Sequence, residues 1–285
     1  MHSVSYEILK VRNALNWFLG KKLKASECYI HFITEEMIYI VDPITLTYVN
    51  FAVEYDINQF ADSISMGLRI FIMGGFNPLT DLNYRVKADT NEIHQKAPML
   101  YKKMCQSLCA FRQYIYSIGG YDGKFVTNCM RYDTRLNKWI NIANMNAPRG
   151  YVAAFVFKVS YIYAVAGRSD SDNVQICERL KLNSLVEWES CSIVNVKDHG
   201  LQGIQIGEKS VLIFGGSMST LSYIMSIENK LFEEVDSIYL DKQAYMYACP
   251  CPVLYKGQVF AFDHSQNLHI YTLESKSWQS MPILN

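Results

Sequence analysis

IYSIGGYDG, residues 115–123, carries the signal from which a fold can be predicted, because related stretches return along the chain. An apolar run that ends in two glycines, or in a near copy of that pair, occurs four times. The four stretches are IFIMGG at 70–75, YSIGG at 116–120, YAVAG at 163–167 and LIFGG at 212–216. Their last glycines are 45, 47 and 49 residues apart. An internal period near fifty predicts a modular β architecture built from repeats.

The copy that begins at residue 115 also contains the other signals of the repeat. Its glycine pair is succeeded by MRYD at 130–133 and by Trp139, and it closes with MNAPR at 145–149. This series closely resembles the kelch motif, whose family fold is a β-propeller with four antiparallel strands per blade. Glycine suits the end of the second strand, because a side chain there would collide with backbone near the centre and because glycine tolerates positive φ. The Trp is expected to pack between neighbouring blades.

The other copies depart from this pattern in informative ways. Ile93 and Phe232 stand in the Trp position of the second and fifth copies, and Ala166 replaces the first glycine of the fourth. A sixth copy, which begins near residue 259, has lost the glycines but keeps Trp278, and a weaker first copy covers residues 29–51. Six blades of about fifty residues need roughly 300 residues, and the chain has 285. We therefore predict an all-β, six-bladed kelch propeller over residues 28–285.

Residues 1–27 are interpreted as an N-terminal extension. Val4, Ile8, Val11, Leu15 and Phe18 recur at helical spacing, which predicts a surface helix. Residues 17–23 are alternatively a strand of the first blade. Residues 11–19 also resemble the final helix of the BACK region that precedes kelch repeats in BTB-BACK-kelch adaptor proteins. That resemblance implies a truncated or divergent member without the BTB half, which docks the ubiquitin ligase.

Composition and charge limit the classes of partner. Half of the residues are apolar, 19% are charged, and 27 basic residues balance 27 acidic ones. This neutrality argues against general binding to nucleic acid or to an anionic membrane, which reward clustered positive charge. No apolar stretch reaches the length of a membrane span and no signal peptide is recognised, so a cytoplasmic location is expected.

The eight cysteines show no disulfide or zinc-finger spacing, and most are expected to behave as small buried apolar residues. Two pairs leave an alternative open. Cys105 with Cys109, and Cys249 with Cys251, have the spacing to offer two thiolates to zinc or to an oxidant. On a strand, however, residues four apart share one face, which gives Cys105 and Cys109 an ordinary structural explanation. We predict no metal and no cofactor.

Enzymatic motifs are missing from the sequence. It contains no S-x-D-x-G-x-T-W box, no phosphate-binding loop and no G-x-S-x-G elbow, and its six histidines do not cluster like metal ligands. We therefore predict that the protein is not an enzyme. The resemblance leaves a less favoured alternative, because some kelch propellers are enzymes that act on sugars or sugar acids.

The resemblance implies a binding surface on one face of the propeller, which we call the linker face. It is formed by the loops between the second and third strands of each blade and by the linkers that lead into each blade. The second-to-third-strand loops are 76–80, 121–125, 168–172, 217–220 and 263–267, and the linkers are 101–103, 149–151, 198–200 and 244–247. Rigid scaffolds carry recognition on such loops.

Aromatic rings and arginines dominate protein interfaces, so seven residues of these loops are predicted to bind a protein or peptide partner. They are Tyr121, Arg149, Tyr151, Arg168, His199, Tyr245 and Tyr247. Arg149 also has a packing explanation, because an arginine often follows M-x-x-P in the kelch pattern. Lys102 and Lys103 would add positive charge, which Asp198 and other acids would offset. Substrate recruitment for a ubiquitin-ligase adaptor is the favoured role, and an actin or cytoskeletal scaffold is the alternative.

Overall fold

A computed structural model of the chain describes residues 30–33, 37–42, 48–52, 59–193, 196–217, 220–228, 231–238, 249–263 and 267–282. These residues form twenty-four β-strands in six sheets, with no helix among them. Each sheet is one blade, and the blades succeed one another along the chain, which confirms the predicted six-bladed propeller. The extension at 1–27 lies outside the described residues.

The strands are grouped by blade in chain order. Blade one contains β1 (Ile30–Ile33), β2 (Met37–Val41) and β3 (Tyr48–Ala52); blade two contains β4 (Asp62–Met66), β5 (Arg69–Met73), β6 (Asn83–Lys87) and β7 (Glu92–Gln95). Blade three contains β8 (Ser107–Phe111), β9 (Tyr114–Ile118), β10 (Cys129–Asp133) and β11 (Lys138–Ile142); blade four contains β12 (Ala153–Phe157), β13 (Tyr161–Val165), β14 (Ile176–Lys181) and β15 (Trp188–Ile193). Blade five contains β16 (Leu201–Gln205), β17 (Ser210–Gly215), β18 (Ser222–Ser226) and β19 (Phe232–Val235). After it come β20 (Cys249–Pro250) and blade six, which contains β21 (Val253–Tyr255), β22 (Gln258–Phe262), β23 (Asn267–Thr272) and β24 (Ser277–Pro282).

Within each blade, consecutive strands pair antiparallel. The first strands of neighbouring blades contact one another, with β8 between β4 and β12 and with β12 between β8 and β16. The first strands are therefore the innermost ones. The second strands are the most deeply buried, as in the sequence YIYAV of β13, because both faces of the sheet pack on a neighbouring blade.

The glycine pairs are required by close approach of backbone. The φ of Gly119 is +59°, and a Cβ atom built there would overlap the carbonyl oxygen of Arg149 in the linker to the next blade. The following N–H, that of Gly120, donates a hydrogen bond to the same carbonyl at 3.1 Å. Gly75 and Gly167 donate to Lys103 and Asp198 in the same way. The predicted reason for the glycines is thus confirmed.

Each described Trp also joins two blades, as predicted. The Nε1 atom of Trp139 in blade three donates to the carbonyl oxygen of Ala97, which follows blade two, at 3.0 Å. Trp188 of blade four donates to Ala143 after blade three at 2.8 Å. Trp278 of blade six donates to the Oγ atom of Ser222 in blade five at 3.0 Å. The aromatic rings bury area between blades while the indole nitrogens keep a partner.

Blades one and six pack against each other in the described part of the chain. Ile30 and Val41 of blade one share an apolar cluster with Phe260 and Phe262 of blade six. The short strand β20, which precedes blade six, crosses to the inner edge of blade two and pairs with β4 in parallel. The segment at 249–251 therefore lies against the inner strands.

Candidate protein-interaction face

Hydrogen bonds between loops build the linker face. In blades two, three and four, the residue after the glycine pair forms an isolated bridge with the linker into the same blade: Phe76 with Gln59, Tyr121 with Met104, and Arg168 with Gly150. In blade five the N–H of Ser217 donates to the carbonyl oxygen of His199 at 2.9 Å. The structure thus brings both sets of loops together at one end of the blades.

A chain of backbone hydrogen bonds runs around the mouth of the central channel on this face. The N–H of Cys105 donates to the carbonyl oxygen of Phe60, Tyr151 donates to Cys105, and Gly200 donates to Tyr151, at 3.2, 2.9 and 2.9 Å. All four residues have positive φ, between 53° and 72°. This conformation is uncommon for residues other than glycine, and it persists only where the surrounding structure imposes it. The mouth is therefore a rigid rim.

Arg149 does not lie on the surface, so its predicted role as a partner contact is corrected. Its side chain is fully buried and forms an ion pair with Glu178, which is also fully buried. The Nη2 atom donates to the carbonyl oxygen of Ala164 at 3.1 Å. The guanidinium therefore holds blade four together, which is the packing explanation that the sequence also offered.

Lys103 and Asp198 occupy the positions equivalent to Arg149 in the linkers to blades three and five, and both are buried. The Nζ atom of Lys103 donates to the carbonyl oxygen of Gly119 at 2.7 Å, and burial lowers the pKa of this amine to about 8. Asp198 accepts hydrogen bonds from the backbone N–H groups of His199 and Ser217 at 2.7 and 3.1 Å. The charges of Lys103 and Asp198, which were predicted to lie in surface loops, are therefore internal.

Three predicted contacts do meet beside the rim. The rings of Tyr151 and His199 lie 5.6 Å apart, and both side chains are half-buried. The imidazole of His199 lies 3.0 Å from the Oγ atom of Ser217, and burial holds the pKa of this histidine below its ordinary value. Arg168, which is exposed, forms the bridge with Gly150, the residue before Tyr151. These residues form a polar and aromatic group at the junction of blades four and five.

Tyr121 is placed in the loop between the second and third strands of blade three. Its ring packs edge-on against Phe125 with the centroids 5.2 Å apart, which closes the loop between them. The N–H of Phe125 donates to the carboxylate of Asp170 at 3.2 Å, so the loops of blades three and four are tied together. Tyr245 and Tyr247 lie outside the described residues.

Three exposed side chains of the linker face are absent from the predicted contacts. Phe76 and Leu100 are each 45% exposed, and Tyr101 beside Leu100 is 38% exposed. Phe76 and Tyr101 belong to loops that were predicted for this face. A usable signal exists for Phe76, because it comes directly after the glycine pair, as Tyr121 does. No sequence signal distinguishes exposed Tyr101 from buried Lys103 two residues later.

The described part of the chain contains no group of three or more histidine, cysteine or acidic side chains placed to hold a metal ion. His269 has ordinary structural partners, with its ring nitrogens 2.7 Å from the Oγ atom of Ser280 and 3.0 Å from the carboxylate of Asp263. No helix long and apolar enough to cross a bilayer occurs in the ranges that the structure describes.

Comparison with known proteins agrees with this geometry. The family model described as the Kelch motif matches residues 104–146. Blade three of this propeller carries a kelch motif. Residues 104–146 include the loop that carries Tyr121 and the strand that carries Trp139.

Several curated proteins are similar to part of the chain. Kelch-like protein 15 of Gallus gallus is 31% identical over 121 residues, which are 40% of this chain and 24% of that protein. Kelch-like protein 22 of Xenopus tropicalis is 31% identical over 87 residues, 29% of this chain and 13% of that protein. Kelch-like protein 13 of Mus musculus is 30% identical over 95 residues, 31% of this chain and 14% of that protein. The matched part thus spans a quarter or less of each relative.

Proposed function

We propose that this kelch propeller is a non-enzymatic module that binds a protein or peptide partner on its linker face. The observation that carries the proposal is a set of exposed side chains on a fixed frame: Phe76, Leu100 and Tyr101 are exposed apolar residues, and Arg168 is an exposed cation. Aromatic and arginine side chains provide most of the binding free energy at protein interfaces. Loops held by a hydrogen-bonded frame lose little conformational entropy on binding.

The opposite end of the blades, which we call the turn face, supports the choice of face. It carries the turns between the first and second and between the third and fourth strands. The exposed large apolar residues described there are aliphatic: Leu136, Val159, Val186 and Leu231. Leucine and valine are under-represented among residues that dominate binding energy. The aromatic exposure is therefore on the linker face.

Proximity labelling in cells tests this proposal. We expect the triple variant Phe76→Ser, Tyr101→Ser, Arg168→Ala to lose partners that the wild type labels. The matched control is Leu136→Ser, Val159→Ser, Val186→Ser, which removes the same number of exposed side chains from the turn face and should keep them. If the control variant loses the same partners, or if neither variant loses any, the assignment to the linker face is contradicted. Circular dichroism of both variants verifies that they fold.

We further propose that the bound partner is presented to a ubiquitin ligase in the cytoplasm, as the resemblance to adaptor proteins implies. The measurement is the half-life and ubiquitylation of each captured partner when the kelch propeller is expressed or depleted, with cell fractionation to locate the complex. Faster turnover that is lost in the linker-face variant supports this role. Unchanged ubiquitylation of every captured partner contradicts the ubiquitin-ligase role and leaves the proposal of partner binding unaffected.

A further inference from the structure

The central channel contains a cavity that the proposed partner site does not use. Its volume is about 310 Å³, and it is lined by the inner strands of blades two to five and by Cys251. Ligand cavities of this order hold small molecules or single side chains. Its upper end coincides with the rim, because Phe60, Cys105, Tyr151 and Gly200 are all among the lining residues.

Asp62 is the only lining residue with a charged side chain among those that the structure describes. It begins β4, two residues after Phe60 of the rim, and an extended strand places it about 7 Å below that rim. Its Oδ1 atom accepts the N–H of Ser63 at 2.8 Å, and its Oδ2 atom accepts the N–H of Leu108 at 2.7 Å. A carboxylate has about four acceptor positions, so capacity for a further donor remains.

Much of the wall around Asp62 is apolar. Ile64, Leu108, Phe155 and Ile204 line the cavity. A carboxylate in such a setting is poorly solvated, and burial raises the pKa of Asp62 to about 7. A bound cation would replace the missing solvation, while an apolar stem would cover the aliphatic wall.

We propose that the channel is a binding site for an organic cation, an ammonium or guanidinium group on an apolar stem, which pairs with the carboxylate of Asp62. Two sources supply this chemistry: a free small molecule, or a lysine or arginine side chain of a bound polypeptide that reaches through the rim. The two donors on Asp62 hold its carboxylate in place, and the cation completes its hydrogen bonds.

The pH dependence of binding depends on the groups that share the cavity. The titratable groups around Asp62 are the thiols of Cys105, Cys109 and Cys251 and the phenol of Tyr151. Burial raises the pKa of Cys105 to about 12 and raises that of Cys109 further, so these two thiols stay neutral near pH 7. Because Asp62 is protonated at lower pH, affinity for a cation should fall about tenfold from pH 8 to pH 6.

Calorimetric titration of the wild-type chain with n-butylguanidinium, n-butylammonium and neutral n-butylurea tests the site. We expect both cations to bind, the urea to bind at least tenfold more weakly, and Asp62→Asn to reduce cation affinity at least tenfold. Equal binding of cation and urea, no binding of either cation, or unchanged affinity in Asp62→Asn overturns the proposal. If Asp62→Asn does not fold, the wild-type pH series decides, because a flat profile between pH 6 and pH 8 also overturns it.

A second arm identifies the source of the cation and keeps this site separate from the proposed partner function. N-acetyl-arginine-N-methylamide should bind as tightly as n-butylguanidinium if a polypeptide side chain is the occupant. If only the butyl cation binds, the occupant is a free small molecule. The linker-face variant Phe76→Ser, Tyr101→Ser, Arg168→Ala should bind n-butylguanidinium like the wild type, so failure of the partner proposal leaves this result unaffected.

Discussion

Arg149 and Glu178 form an ion pair from which solvent is fully excluded, although Arg149 belongs to a surface linker and Glu178 to the third strand of blade four. Glu178 also accepts the backbone N–H of Asn146 at 2.8 Å. The carboxylate thus connects two positions of the linker between blades three and four to β14. An ion pair of this kind is costly to disrupt on one side, because the remaining charge stays buried.

Replacing Arg149 should therefore destabilise the fold rather than weaken partner binding directly. We expect Arg149→Met to lower the free energy of unfolding by about 3 to 5 kcal/mol, because Glu178 loses its cation while it remains buried. Lys209→Ala is the control, since its pair with Glu228 is more than half exposed on both sides and should contribute less than about 1 kcal/mol. Chemical denaturation measures both. Similar effects of the two substitutions would contradict the structural role of Arg149.

The glycine at the end of β9 is required for its lack of a side chain more than for its φ. Gly119→Ala would place a Cβ atom against the carbonyl oxygen of Arg149, so we expect a loss of at least about 3 kcal/mol in the free energy of unfolding. Gly67 has nearly the same φ, +61°, with nothing within 4 Å of a Cβ atom. Gly67→Ala should therefore show only the conformational cost, about 1 to 2 kcal/mol. Equal losses would show that the approach of the linker is not the cause.

His31 should make the fold sensitive to acid. Its Nε2 atom lies 2.9 Å from the Oγ atom of Ser63, across the contact of blades one and two, and burial lowers its pKa from 6.5 to about 4. Below pH 6.5 the unfolded chain takes up a proton at His31 that the folded chain excludes. The free energy of unfolding therefore decreases as the pH falls from 6.5 towards 4. The loss amounts to about 3 kcal/mol.

The variant His31→Gln keeps a donor for Ser63 and cannot titrate. We expect the difference in unfolding free energy between pH 7 and pH 4 to shrink by that amount relative to the wild type. His94, whose side chain is 44% exposed, provides the comparison His94→Gln, which should retain most of the wild-type difference between pH 7 and pH 4. A profile of His31→Gln that parallels the wild type would rule out His31 as the source of the acid sensitivity.

Cysteine alkylation should depend on burial rather than on the spacing of the cysteines. Burial raises the pKa of the Cys109 and Cys129 thiols, so the reactive thiolate is scarce at both, although Cys109 borders the channel cavity. Iodoacetamide at pH 8, read by mass spectrometry, should modify half-buried Cys191 at least tenfold faster than either. Rapid modification of Cys109 in the native protein would instead favour the reactive-thiol alternative for the pair Cys105 and Cys109.

The candidate site divides into parts that sequence reasoning could and could not predict. The loops of the linker face are predictable, because they follow from the glycine positions and from the strand order of a propeller. Individual residues within them are less predictable: Tyr151, His199 and Arg168 lie together, whereas Arg149 is internal and exposed Phe76 is absent from the predicted contacts. Whether a loop side chain is exposed depends on whether it packs against the strands of its blade. Adjacent loop residues differ in this packing.

Local patterns in the sequence are sufficient to predict the propeller, because the glycine pairs and the indole rings recur at a fixed spacing. Gly74, Gly119 and Gly167 lie where a linker carbonyl approaches, and each described Trp lies where two blades meet, so the repeat reflects how the blades pack. The burial of Arg149, Lys103 and Asp198, and the place of Asp62 in the channel wall, emerge only when the blades assemble. The environment of a charge is set by groups distant in sequence, such as Glu178 for Arg149 and Leu108 for Asp62.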